Sequence, residues 1–142
     1  MDDRPWLKRY DKGVPYQNDY PQVPAYHFLE ENAKQHPEAT CTIFKGAKIR
    51  FKEMDDISSQ LAAGLVDIGV KKGDRVGIFI PNTPQFVMAY FAILKAGGVV
   101  VAMNPLYSPR EIEHQVNDAG IEVMVVMSNF YNTIKQVQPK TK

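Results

Sequence analysis

From Arg75 to Met127 the chain alternates short apolar runs with helical stripes, and the loops between them are only a few residues long. Arg75–Ile80, Val99–Met103 and Glu122–Met127 are rich in Val, Ile and Met and lack the polar alternation of a half-wet strand. Runs of that kind predict strands covered on both faces. Between the first two, Phe86, Val87, Met88, Tyr90, Phe91, Ile93 and Leu94 ring most of a helix's circumference, which predicts a largely buried helix to about Ala96. Thr83 stands where it can N-cap that helix with Pro84 at its first position, and Gly97-Gly98 closes it. Between the second and third, Ser108-Pro109-Arg110-Glu111 is a Ser-x-x-Glu capping box. Its helix runs to Ala119, buries Ile112 and Val116, and ends at Gly120. A β-α-β-α-β order with such loops favours a parallel sheet with right-handed crossovers. The predicted class is α/β.

The preceding residues are of two kinds. In residues 1–24, Pro5, Pro15, Pro21 and Pro24 interrupt any periodicity. This stretch reads as an extended arm anchored by Trp6, Tyr10, Tyr16 and Tyr20. From residue 25 the body begins. Tyr26, Leu29 and Ala33 predict a helix over Ala25–Gln35, stopped by Pro37. Thr40–Phe44 and Lys48–Phe51 read as a hairpin around Lys45-Gly46-Ala47, with Gly46 at positive φ. Met54, Ile57, Leu61, Leu65 and Ile68 form the stripe of a second helix ended by Gly69, and Lys72-Gly73-Asp74 is a turn. A last helix is expected from Phe130 to about Val137.

Charge and composition exclude several classes. Seventeen Lys plus Arg against sixteen Asp plus Glu leave a net charge of +1 with no basic stripe, which argues against a nucleic-acid partner. One cysteine, Cys41, rules out an intrachain disulfide framework and a Cys-rich zinc site, and reads as a small hairpin side chain rather than a reactive thiol. No apolar run reaches the roughly 18 residues of a membrane span. The opening Met-Asp-Asp-Arg-Pro-Trp lacks the apolar core of a secretory signal, so a cytoplasmic location is expected. Membrane contact is peripheral at most, because the aromatic arm has no basic amphipathic helix.

A parallel sheet binds ligands beyond the carboxyl ends of its strands. That edge holds Pro81–Pro84, Asn104–Ser108 and Ser128–Asn129. Each is a poor phosphate cradle, because such a cradle needs free N–H groups in a Gly-rich turn and Pro84 and Pro109 have none. Gly97-Gly98 lies at a helix C-terminus, the wrong end of the dipole for an anion. His27, His36 and His114 are far apart in sequence. Glu111, His114 and Asp118 share a helix face opposite Ile112 and Val116, and a solvated polar face outweighs metal ligation there. Lys95 reads as a paired or snorkelling lysine rather than a catalytic amine. No catalytic or metal-binding residue is nominated.

Four motifs in order carry a resemblance. They are Phe51-Lys52-Glu53-Met54, Arg75–Asn82, Ile93-Leu94-Lys95-Ala96-Gly97-Gly98 with the strand to Asn104, and Asn104–Asp118. Together they resemble the adenylate-forming, AMP-binding superfamily. The fourth is most similar to the long-chain fatty-acid–CoA ligase (acyl-CoA synthetase) branch.

The resemblance implies that residues 25–142 are the truncated N-terminal portion of the AMP-binding domain. It implies an acid–thiol ligase that uses ATP, Mg2+ and CoA at full length, with the phosphate loop and magnesium ligand lying downstream. This segment alone is then expected to be inactive and to hold no cofactor. Asn104, Pro105 and Leu106 would form a turn facing CoA. Some members place Arg after the next strand for the CoA phosphate, whereas here Lys135 is the nearby cation. The partners implied are the rest of the enzyme and a fatty acid, with self-association of the fragment through its exposed sheet edge and apolar surface. The alternatives are an aryl- or medium-chain acyl-CoA ligase, or a non-catalytic binding or assembly module with the same fold.

Overall fold

A computed structural model describes residues 4–141. The arm contains a 3₁₀ turn, Pro5–Arg9, and no regular element from there to Pro24. Helix α1 (Ala25–Gln35) leads to the antiparallel hairpin β1 (Thr40–Phe44) and β2 (Ala47–Arg50), followed by α2 (Phe51–Asp67). Then come β3 (Arg75–Phe79), α3 (Pro84–Lys95), β4 (Val99–Ala102), α4 (Pro109–Ala119), β5 (Val123–Val126) and α5 (Tyr131–Val137).

The α/β expectation holds. β3, β4 and β5 form a parallel sheet in the order β4-β3-β5, with Val76 beside both Val100 and Val123. Alternation along the strands sends side chains to two cores. Val76, Ile78 and Ile80 pack with Ala62 and Leu65 of α2 and Ala89, Ala92 and Ile93 of α3. Phe79 and Met103 pack on the other face with Ile112 and Val116 of α4 and Val137 of α5. Two helical layers therefore sandwich the sheet.

Several local expectations need correction. Phe51 opens α2 rather than ending β2, and the hairpin turn uses both Lys45 and Gly46 at positive φ. The inner face of α2 is Met54, Ser58, Ala62 and Leu65; Ile57 and Leu61 are half-buried and Ile68 is 68% exposed. Ser58 and Ala62 are small and buried; Ala62 packs in the cluster with Ala89, Ala92 and Ile93 of α3, and the Ser58 hydroxyl donates to the Asp55 carbonyl at 3.0 Å. Thr83 stands at the N-cap of α3, but its hydroxyl makes no capping bond. β5 is half-buried and β4 is half-buried in its middle and exposed at both ends; among the described residues each pairs with a strand on one side. Trp6, Tyr10, Tyr16 and Tyr20 are exposed, so they do not anchor the arm within the described residues.

One tie between sheet and helix had no sequence signal. The Arg75 guanidinium, at the start of β3, donates from Nε to the Ala119 carbonyl and from Nη2 to the Gly120 carbonyl, both at 3.0 Å. A cation at a helix C-terminus satisfies orphan carbonyls and complements the dipole, so Arg75 locks α4 to the strand it crosses.

Candidate functional site: the carboxyl edge of the sheet

The three loops named from sequence do lie beyond the strand ends, but they do not converge. Pro81, Thr83 and Ser128 border a cleft of about 950 Å³ over β3 and β5. Its other walls are Ile57 and Leu61 of α2, Met88 of α3, Met127, and the hairpin tip Phe44-Lys45. Asn104, Pro105 and Leu106 lie outside this lining, past the end of β4. Sequence reasoning missed the cleft, because its walls come from four separate segments and Ile57 and Leu61 read as core.

The Asn104 turn is closed by its own bonds. The Asn104 Oδ1 accepts from the Leu106 N–H and its carbonyl accepts from the Tyr107 N–H, each at 3.0 Å. This is an Asx turn, and it presents Leu106 outward at 88% exposure. The next N–H, that of Ser108, donates to the Glu111 carboxylate at 2.7 Å, as does the Ser108 hydroxyl. These two bonds hold the Glu111 carboxyl below its usual range. On the facing loop, the Thr83 N–H donates to the Pro81 carbonyl at 2.7 Å. The N–H groups of Thr83, Leu106, Tyr107 and Ser108 are thus engaged in turns, Pro84, Pro105 and Pro109 have none, and a carboxylate sits among them. These residues do not fit a nucleotide phosphate.

The remaining candidates resolve into structural roles. Lys95 is 8% exposed, and its ammonium donates to the Asp55 carboxylate at 2.6 Å, the Ser59 hydroxyl at 2.8 Å and the Asp55 carbonyl at 3.1 Å. It is the paired lysine expected, though its partners lie on α2 rather than at its own helix end. Cys41 is half-buried and burial raises its thiol pKa, which opposes thiolate formation. Among the described residues no three His, Cys, Asp or Glu side chains are placed to hold a metal, and Glu111, His114 and Asp118 instead line a shallow groove of about 390 Å³ on α4. No described helix is long and apolar enough to cross a membrane.

Comparison with known proteins decides the family. The profile of the AMP-binding enzymes matches residues 29–142. The chain belongs to that family. It is 38% identical over 138 residues to a long-chain-fatty-acid–CoA ligase of Escherichia coli, covering 96% of this chain and 25% of that protein. It is 36% identical to one of Bacillus subtilis, covering 97% and 24%. The long-chain-fatty-acid–CoA ligase structure from Archaeoglobus fulgidus superposes with a TM-score of 0.82 at 30% identity, covering 94% of this chain and 28% of that one. An anthranilate CoA ligase in complex with anthranoyl-AMP gives 0.81 at 25% identity, covering 86% and 24%. The chain therefore spans about a quarter of the length of the relatives it matches. Those relatives are acid–thiol ligases, in line with the resemblance read from the four motifs.

Proposed function

We propose that this chain is the N-terminal part of a long-chain fatty-acid–CoA ligase of the cytoplasm. The supporting observation is the 38% identity that runs over 96% of the chain to a ligase of that name. In the proposed whole enzyme, a fatty-acid carboxylate attacks the α-phosphorus of Mg-ATP, and diphosphate leaves as acyl-AMP forms. The CoA thiol then attacks the acyl carbon, and AMP leaves. The chain's own contribution is positional. The sheet and its flanking helices form one wall of the catalytic domain, and the Asn104–Leu106 turn faces CoA. The phosphate contacts belong to other parts of the enzyme, consistent with engaged donors along this edge.

An aryl-CoA ligase is the second reading, favoured by the superposition on the anthranilate enzyme. Replacing the matching segment of the Escherichia coli relative with this chain tests the proposal. The chimera is expected to make palmitoyl-CoA from palmitate, ATP and CoA. A folded chimera that activates anthranilate but not palmitate would favour the second reading, and one inert towards both would overturn the assignment. In the active chimera, Leu106→Glu is expected to raise the KM for CoA and leave that for ATP unchanged; the reverse pattern contradicts a CoA-facing turn.

A further inference from the structure

We infer that Arg75 is a positioning residue for the Asn104–Leu106 turn, acting from the opposite edge of the sheet through helix α4. The inference rests on the reading of that turn as the part of the chain that faces CoA. The chain leaves β4 at the carboxyl edge, makes the turn, and runs back along α4 to Gly120 at the amino edge, where β3 begins at Arg75. The eleven residues of α4 span about 16 Å, so the turn and the Arg75 contact stand at the two ends of one stiff rod.

What α4 rests on decides how that rod can move. Ile112 and Val116 are buried in one cluster with Phe79 and Met103. Apolar burial is non-directional, so it keeps the helix on the sheet but sets its axial position more loosely than a directed bond does. Gln115 reaches the Ala102 carbonyl only at 3.5 Å, the outer limit of a hydrogen bond. The Arg75 fork is shorter and double, with Nε on the Ala119 carbonyl and Nη2 on the Gly120 carbonyl, both at 3.0 Å. Two bonds from one planar group fix direction as well as distance, which a single ammonium cannot do. Gly120 completes the seat: its φ is +64°, and a Cβ there would stand 2.8 Å from the Arg75 Nη2.

A displaced rod would be felt first in the turn. Met103, immediately before it, is held to β3 by its N–H on the Ile78 carbonyl at 3.0 Å. Asn104 therefore stays with the sheet, while Leu106 and Tyr107 lead into α4. The bonds from the Leu106 and Tyr107 N–H groups to Asn104 bridge the two. By contrast, the bonds from the Ser108 N–H to Glu111 and from the Ile112 N–H to the Ser108 carbonyl lie wholly within the cap of α4 and travel with it. Loss of the fork strains the first pair and spares the second, and the exposed Leu106 shifts against its ligand.

Amide hydrogen exchange of the 142-residue chain carrying Arg75→Lys, which keeps the charge at the end of α4 but not the fork, tests the coupling. The Leu106 and Tyr107 amides are expected to exchange roughly tenfold faster than in the unchanged chain, with the Ser108 and Ile112 amides as slow as before. Gly120→Ala, which pushes the guanidinium aside, is expected to give the same pattern from the other side of the contact. In the Escherichia coli chimera, Arg75→Lys is expected to raise the KM for CoA about tenfold and to leave those for ATP and palmitate unchanged, because only the contact made by the turn is misplaced. Leu106 and Tyr107 amides that stay slow in both variants, a quickening of all the α4 amides alike, or a KM for CoA that holds while the turn amides quicken would each overturn the inference. A chimera inert before any of these substitutions counts against the ligase assignment alone, and the amide pattern still decides whether Arg75 holds the turn.

Discussion

β3 and β4 are neighbouring strands with mainly apolar sequences, yet they live in different surroundings. Val76, Ile78 and Phe79 of β3 are almost wholly inaccessible, whereas β4 runs exposed, half-buried, half-buried, exposed. The sequence Val-Val-Val-Ala is if anything the more apolar of the two. What separates them is place in the sheet: among the described residues β3 has a strand on each side and helices above and below, and β4 has one neighbouring strand. An apolar run specifies a strand; the number of neighbours decides how much of it is dry.

That contrast can be strained at several points, and the largest effect is expected where the helix that leads into β4 is tied to α2. Lys95 ends the helix that feeds β4, and its removal strands the Asp55 carboxylate. Lys95→Ala is expected to cost about 3–5 kcal/mol in denaturant unfolding, and a loss no larger than that of an exposed pair would show that this bridge is not a tie. Next comes the strand comparison itself. Ile78→Ala in β3 is expected to cost about 2–5 kcal/mol and Val101→Ala in β4 about 1 kcal/mol or less, read as midpoints with an unchanged m-value. Equal losses would mean that the two strands are equally enclosed.

At the entry to β4, a Cβ on Gly98 would meet Ile93 Cγ2 at 3.0 Å, the Ile93 carbonyl at 3.2 Å and the Asp74 carbonyl at 3.3 Å. Two of these are backbone atoms that cannot turn aside. Gly98→Ala is therefore expected to destabilise by about 1–3 kcal/mol, and a neutral result would show that the helix-to-strand junction yields. At the exit from β4, Ser108→Ala removes the cap of α4 and is expected to cost about 1 kcal/mol.

The smallest effect is the pH dependence of that cap. Glu111 has its carboxyl lowered by the Ser108 hydroxyl and N–H, so it binds its proton less readily in the folded chain than in the unfolded one. Its contribution is complete above the unfolded carboxylate range and fades as pH falls through the depressed folded value. Acid titration of unfolding should show this component in the unchanged chain and a smaller one in Ser108→Ala.

What was legible in the sequence was punctuation. Pro84, Ser108 with Glu111, Gly97-Gly98 and Gly120 mark helix ends by local chemistry, and with the apolar runs between them they give a parallel α/β order. What was not legible depends on contacts between distant segments. The stripe of α2 reads from large side chains, whereas its fully buried positions include the small Ser58 and Ala62, and Ile68 is exposed. Arg75 caps a helix more than forty positions away, which no spacing announces. The cleft at the sheet edge draws on the hairpin, α2, α3 and β5, and the Asn104 turn lies apart from it. In the arm, prolines foretold the lack of periodicity, but the aromatics could not say what they touch.

The claim beneath all of this is that these residues supply the frame of an adenylate-forming ligase and not its grip on the nucleotide. Palmitate-dependent exchange of labelled diphosphate into ATP, measured with the purified 142-residue chain and Mg2+, tests it directly. The expected result is no exchange above the protein-free blank. Exchange that rises with chain concentration would contradict it, because the phosphate contacts would then have to lie among the turns whose donors are already engaged.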